Sequence, residues 1–321
     1  AVVFGAVPAV FNMVVANVIR GEGYSLHVGL GLSLGGVLNI ALDPFFVLPF
    51  GLNMNIKGAA IATLISNVVT TLYFAILLIV IRKKSVVSFS PKKASLAIKE
   101  KIARNVLFTG LPSALQTMLS AVSNLVLNSL MIGYGETAEA AIGVTKKIDA
   151  VPFGMVTGLA QGAAPLIAYN NGAKKYDKMK TTLKLSLCYC VGLAITVLIV
   201  VESAAGALIE VFIKDASTVT YGEKFLRLHC ASLPFMAVTF MLVSYFQAVG
   251  AKGKAFLLSI IRKGIVDIPL MYLLNVLIPV YGIVACQPIT DVISATVGVI
   301  LYVLWKKKFQ KTEEDQEIIV Q

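Results

Sequence analysis

The residues Asn39-Ile-Ala-Leu-Asp43-Pro44 set an amide, a carboxylate and a proline inside an apolar run from His27 to Leu48. An ionisable group at membrane depth costs roughly 2.5 to 3.5 kcal/mol on insertion scales, so Asp43 is a functional-site candidate by default. Gly31, Gly35, Asn39 and Asp43 recur every four residues. On a helix they form one stripe, small at one end and polar at the other. The small end admits a neighbouring helix closely, and the polar end faces what lies between them. Pro44 lacks an N–H and crowds the carbonyl of Ile40, so a bend and a freed acceptor are expected beside the carboxylate. Pro8 is the equivalent candidate for bending in the first span.

Other charged groups lie within apolar runs. Asp267 has Lys263 one helical turn before it, a ready-made ion pair that points to a structural role. Lys146 or Lys147 is expected to pair with Asp149, because the membrane offers a lysine no other partner. Asp291 has no charged residue three or four positions away, which makes it a second candidate for protonation. A further four-residue stripe, Pro112, Gln116, Ser120, Asn124 and Asn128, together with Gln161, supplies amides that either line a cavity or join helices. His27 and His229 fall toward span ends and are expected at the interface. Cys188 and Cys190 point to nearly opposite sides of a helix and no CxxC or His pair exists, so no metal centre is expected.

These groups need helices to carry them. Of 321 residues, 57% are hydrophobic and 14% charged, with a mean hydropathy of +0.83, which excludes a soluble domain. Apolar stretches of roughly 20 residues, enough to cross about 30 Å of hydrocarbon, recur throughout. The fold class is all-α, a polytopic membrane protein, with nine spans expected at 1–19, 27–48, 57–81, 105–132, 138–170, 183–212, 222–249, 255–278 and 282–305. The net charge of +11 does not signal nucleic acid. Twenty of the 28 Lys and Arg fall in alternate connections, from Arg20 to the Lys306–Lys311 segment. By the positive-inside rule those connections and the C-terminus are cytoplasmic, in a plasma (inner) membrane protein.

Self-similarity organises the chain further. Pro8 matches Pro234 at an offset of 226, Gly23 matches Gly250 at 227, and Asp43 and Gly58 match Asp267 and Gly282 at 224. The stripe Gly31, Gly35, Asn39, Asp43 thus falls on Ala255, Ser259, Lys263, Asp267. The repeat is parallel, as in transporters built from two like halves. It predicts an incomplete N-lobe at 1–81 with the last three of six helices, a cytoplasmic linker at 82–104, a six-helix C-lobe at 105–308 and a tail at 309–321 without fixed structure. Three helices of an expected twelve would then precede Ala1.

The Arg20-Gly-Glu-Gly23 turn, Asn39 to Pro44, Gly58-Ala-Ala-Ile-Ala-Thr63 and Pro165 through Ala173 resemble the multidrug and toxic compound extrusion (MATE) family, over essentially the whole chain. Lys147-Ile-Asp149 with Pro152, and Gln161, are similar to its bacterial branch of MepA-type exporters. The resemblance implies a two-lobed secondary transporter, not an enzyme, exporting organic, often cationic, compounds in exchange for H⁺ or Na⁺. It implies a cation site at Asp43, Asn39, Thr63 and Asn17, with Na⁺ possible at Asp43 and an aspartate on a helix outside this sequence. No cofactor is expected; the partners are small organic substrates and the bilayer, and the protein is expected to be monomeric. Rival readings are a lipid-linked oligosaccharide flippase of related fold, which would need unpaired cavity arginines where only Arg262 is available, a membrane-embedded enzyme, and a truncated inactive paralogue.

Overall fold

A computed structural model describes residues 2–48, 51–83, 85 and 102–320, with side chains from Gly5 to Lys306. It divides into two compact units, residues 1–100 and 101–321. Every element among the described residues is helical. Six helices there are long and apolar enough to cross a membrane, and seven if a bent pair counts as one.

The first unit holds α1 (Val2–Gly21), α2 (Ser25–Val47) and α3 (Asn55–Ile81). Val15, Ala16, Ile19, Val28, Phe74, Leu77 and Ile81 form its buried core. The small end of the sequence stripe does what spacing predicts. A methyl at Gly31 would stand 2.7 Å from the Tyr73 ring, and one at Gly35 would collide with the Thr70 hydroxyl. Glycine at these positions therefore sets how closely α2 and α3 approach. Asn12 ties α1 to α3, donating to the Asn67 carbonyl at 2.9 Å and accepting from the Thr71 hydroxyl at 2.8 Å. The helical backbone continues through both Pro8 and Pro44.

The second unit holds α4 (Ile102–Ile132), α5 (Glu136–Gly172), α6 (Tyr176–Glu210), α7 (Ala216–Cys230), α8 (Leu233–Ala248), α9 (Lys252–Ile260), α10 (Asp267–Leu277) and α11 (Tyr281–Val320). Two expected spans differ from straight rods. The 222–249 span is α7 and α8 meeting at 42°. Pro234 has no N–H to give the carbonyl four residues back, so it starts a helix rather than continuing one. The 255–278 span is α9 and α10 joined by a π-helical turn, Ile261–Ile265, closed by the Val266 N–H on the Ile261 carbonyl at 3.2 Å. Pro269 crowds the Ile265 carbonyl, which favours a widened turn there. The tail, expected to lack structure, continues α11 as helix to Val320. Its Lys, Gln and Glu residues are strong helix formers, which composition alone conceals. Residues 84 and 86–101, most of the expected linker, lie outside the described residues.

The duplication is visible in the backbone. Gly23 and Gly250 take φ of +92° and +75° at the ends of α1 and α8. The Tyr24 N–H reaches the Ile19 carbonyl at 3.2 Å, and 227 residues on the Ala251 N–H reaches that of Phe246 at 2.8 Å. Both are helix ends of the Schellman kind, which need a residue that tolerates the left-handed region. Gly58 and Gly282 share a second role. A methyl on the first would stand 2.5 Å from the Phe46 carbonyl, and one on the second would collide with that of Leu274.

Candidate functional site

In the first unit the polar end of the stripe gathers three side chains. The Asn39 amide donates to the Asp43 carboxylate at 3.5 Å and to the Thr63 hydroxyl at 3.4 Å. The Thr63 hydroxyl donates to the Ala59 carbonyl at 2.9 Å on its own helix. Asp43 makes no ion pair among the described residues. An amide, a hydroxyl and a carboxylate are hard oxygen donors able to hold a proton or an alkali cation. Asn17 is not part of this group. It donates to the Met13 carbonyl at 3.0 Å and accepts from Arg20 at 3.3 Å, so its polar atoms are spent on α1 itself.

The second unit repeats the group with different chemistry. Lys263, Asp267 and Gln287 stand 224 residues after Asn39, Asp43 and Thr63. The Lys263 ammonium donates to the Asp267 carboxylate at 3.1 Å and to the Gln287 oxygen at 2.6 Å, matching both bonds of Asn39. Asp267, 1% exposed at the N-terminus of α10, also accepts from the Ser123 hydroxyl at 2.5 Å. A carboxylate at a helix N-terminus is further favoured by the helix dipole. Gln287 then donates to Asp291 at 2.8 Å, which extends the network along α11.

Asp291 is not the lone acid that its own helix suggests. Arg262, in the π turn, donates from Nε to its carboxylate at 2.6 Å, with side-chain exposures of 2% and 0%. The guanidinium also lies 4.7 Å from the centre of the Phe240 ring. A desolvated arginine so paired is not free for a lipid diphosphate, which removes the one arginine the flippase reading had. Arg262 has no acid three or four residues away in sequence. Counting charge across the last two spans, two bases and two acids, is the signal that would have paired it.

One further expectation is corrected. Asp149 pairs with neither Lys146 nor Lys147; His229 Nε2 meets its carboxylate at 3.2 Å. His229 is buried between helices, because α7 brings it against α5. Lys147 is exposed, whereas Lys146 donates to the Asn124 oxygen at 2.9 Å and the Asn128 oxygen at 3.3 Å. Gln116 is 7% exposed and lines no open surface, while Gln161 is exposed on α5. Cys188 is exposed and Cys190 buried, and no group of three His, Cys, Asp or Glu side chains suited to a metal occurs among the described residues.

A polar group inside apolar helices, repeated 224 residues apart in the two units and carrying paired acids and bases in the second, defines a polytopic membrane protein of the transporter class. The MatE family model matches residues 112–273. The chain belongs to that family. It is 30% identical over 279 residues to the multidrug export protein MepA of Staphylococcus saprophyticus, covering 87% of this chain and 60% of that protein. MepA of Staphylococcus aureus strain N315 is 29% identical over 292 residues, 91% of this chain and 62% of that one. The chain thus spans about 60% of the length of these curated relatives. Among solved structures, an outward-facing multidrug resistance MATE transporter of the MOP superfamily superposes with a TM-score of 0.84 at 25% identity, over 96% of this chain and 68% of the other. A Vibrio cholerae MATE transporter gives the same TM-score and the same coverages at 20% identity, a likeness of fold.

Proposed function

We propose that the full-length protein is a secondary transporter that exports organic compounds in exchange for H⁺ or Na⁺, and that Asp43, with Asn39 and Thr63, carries the coupling ion. The observation that supports this is an asymmetry. Asp267 and Asp291 each hold a basic side chain, Asp149 holds His229, and Asp43 has only a neutral amide and hydroxyl beside it. A half-buried carboxylate within an apolar helix and without a counter-ion is the group whose charge a mobile cation can switch. Cation binding then biases the transporter between two states only through its different affinity for each. The family and the names of the relatives support export; the choice of ion rests on the chemistry of the three side chains. The protein acts as a monomer in the plasma membrane with its C-terminus in the cytoplasm.

Asp43→Asn in the full-length transporter, reconstituted in proteoliposomes, is expected to insert at the wild-type level and to lose gradient-driven efflux. Efflux driven normally by a pH or sodium gradient in that variant would refute the assignment.

A further inference from the structure

Lys146 sits ten residues into α5, about 15 Å along the helix axis. Its half-buried ammonium is held by Asn124 and Asn128 of α4 and by no carboxylate among the described residues. The Lys263–Asp267 pair lies within electrostatic reach, but it is neutral as a unit. Lys147 is exposed about 100° around the helix and takes no part. Because an ammonium has no lone pair, both carboxamides must turn their oxygens to it, leaving their NH₂ groups outward. Asn124 and Asn128 are themselves exposed. The surface they present is donors only: an ammonium N–H and two amide NH₂ groups, with one positive charge that no carboxylate among the described residues compensates. Hydrocarbon cannot take such a surface, so it borders water or a ligand.

We infer that Lys146, Asn124 and Asn128 form an anion-recognition subsite that takes the carboxylate, or another oxyanion, of a transported amphiphile. This rests on the export reading for the ligand's fate. It narrows the substrate class from organic compounds in general to those that carry an acidic group, zwitterions included. Three donors around one charge match the acceptor-only edge of a carboxylate, whereas an ester or amine at the same place would leave donors unmet.

The test uses the purified full-length transporter in detergent and two probes, a xanthene dye with a free carboxylate and the methyl ester of the same dye. Binding is read by fluorescence anisotropy. Lys146→Gln is expected to weaken the acid by about tenfold or more beyond any effect on the ester, the scale of one hydrogen bond to a charged group. Lys146→Arg should keep most of the acid's affinity. Where Lys146→Gln does not fold, Asn124→Ala with Asn128→Ala removes the outward donors and should show the same selective loss. Equal weakening of both dyes, no effect on the acid, or no binding of the acid to the wild type overturns the subsite. Acid-selective binding in a protein that moves neither dye would leave the subsite standing and refute export instead. Export of the ester without acid selectivity would do the reverse.

Discussion

Replacing Asp291 by Asn tests the buried pair in the second unit most directly. The change keeps the side chain's shape and leaves the Arg262 guanidinium, 2% exposed, without its counter-charge. Breaking such a pair on one side costs about 3 to 5 kcal/mol, a factor of roughly 10² to 10³ or more in the folding equilibrium. The Phe240 ring at 4.7 Å remains and offsets part of the loss, about 1 to 2 kcal/mol for a desolvated cation, so the lower end is expected. Arg262→Met alone strands Asp291 with the Gln287 amide and should cost a similar amount. The double variant removes both charges. It is expected within about 1 kcal/mol of wild type, because a buried ion pair exchanged for neutral groups is often close to neutral. Unfolding in mixed micelles can be followed by the fluorescence of Trp305, the one tryptophan of this sequence, whose ring centre lies 5.6 Å from that of Tyr245. Single losses under about 1 kcal/mol, or a double variant as unstable as the sum of the singles, would refute the coupling.

Gly35→Ala places a methyl on the Thr70 hydroxyl and should destabilise the first unit by about 1 to 3 kcal/mol, with Thr70→Ala restoring part of it; thermal stability of the two variants and their combination checks this. Asp215, the N-cap of α7 outside the spans, is held below the usual carboxylate range by the hydroxyls of Ser217 and Thr218 and by the Thr218 N–H. A depressed value means its stabilisation is present above the unfolded value of about 3.9 and is lost as pH falls through the folded one. Hydrogen exchange in the first turn of α7 should therefore distinguish wild type from Asp215→Ala at neutral pH and cease to do so in strong acid; a difference that persists there argues against the cap. A cysteine at Gln321 in a background without other cysteines is expected to react with an impermeant maleimide only from the cytoplasmic side, and labelling from outside would reverse the topology.

What the sequence reveals of this molecule divides by sequence separation. The spans are legible because the bilayer demands long apolar runs, and the Gly31–Asp43 stripe because helical neighbours recur every three or four residues. Lys263–Asp267 is legible for the same reason. Arg262–Asp291 and His229–Asp149 join groups 29 and 80 residues apart, and which helix faces which is set by packing rather than by local pattern. Lys146 and Lys147 show the limit well. They are one position apart, and only the placement of α4 decides which of them meets Asn124 and Asn128. Asn17 has the right chemistry and lies near the end of a span, yet it faces its own helix, a rotational fact that linear spacing does not carry. The bend before Pro234 is written in the proline, although an apolar run that continues across it conceals the break.

The pairing of Arg262 with Asp291 also bears on how the chain enters the bilayer. Residues 255–278, the apolar part of α9–α10, carry Arg262, Lys263 and Asp267, a net charge of +1, and residues 282–305 of α11 carry Asp291, a net charge of −1. Each ionised residue presented alone at mid-membrane costs about 2.5 to 3.5 kcal/mol during insertion. Neither span can discharge that penalty by itself, since the 2.6 Å contact forms only when both are side by side. The two segments therefore leave the insertion machinery favourably as a hairpin rather than one after the other. A ribosome that has made the chain only as far as Leu277 holds an arginine that has nowhere to go.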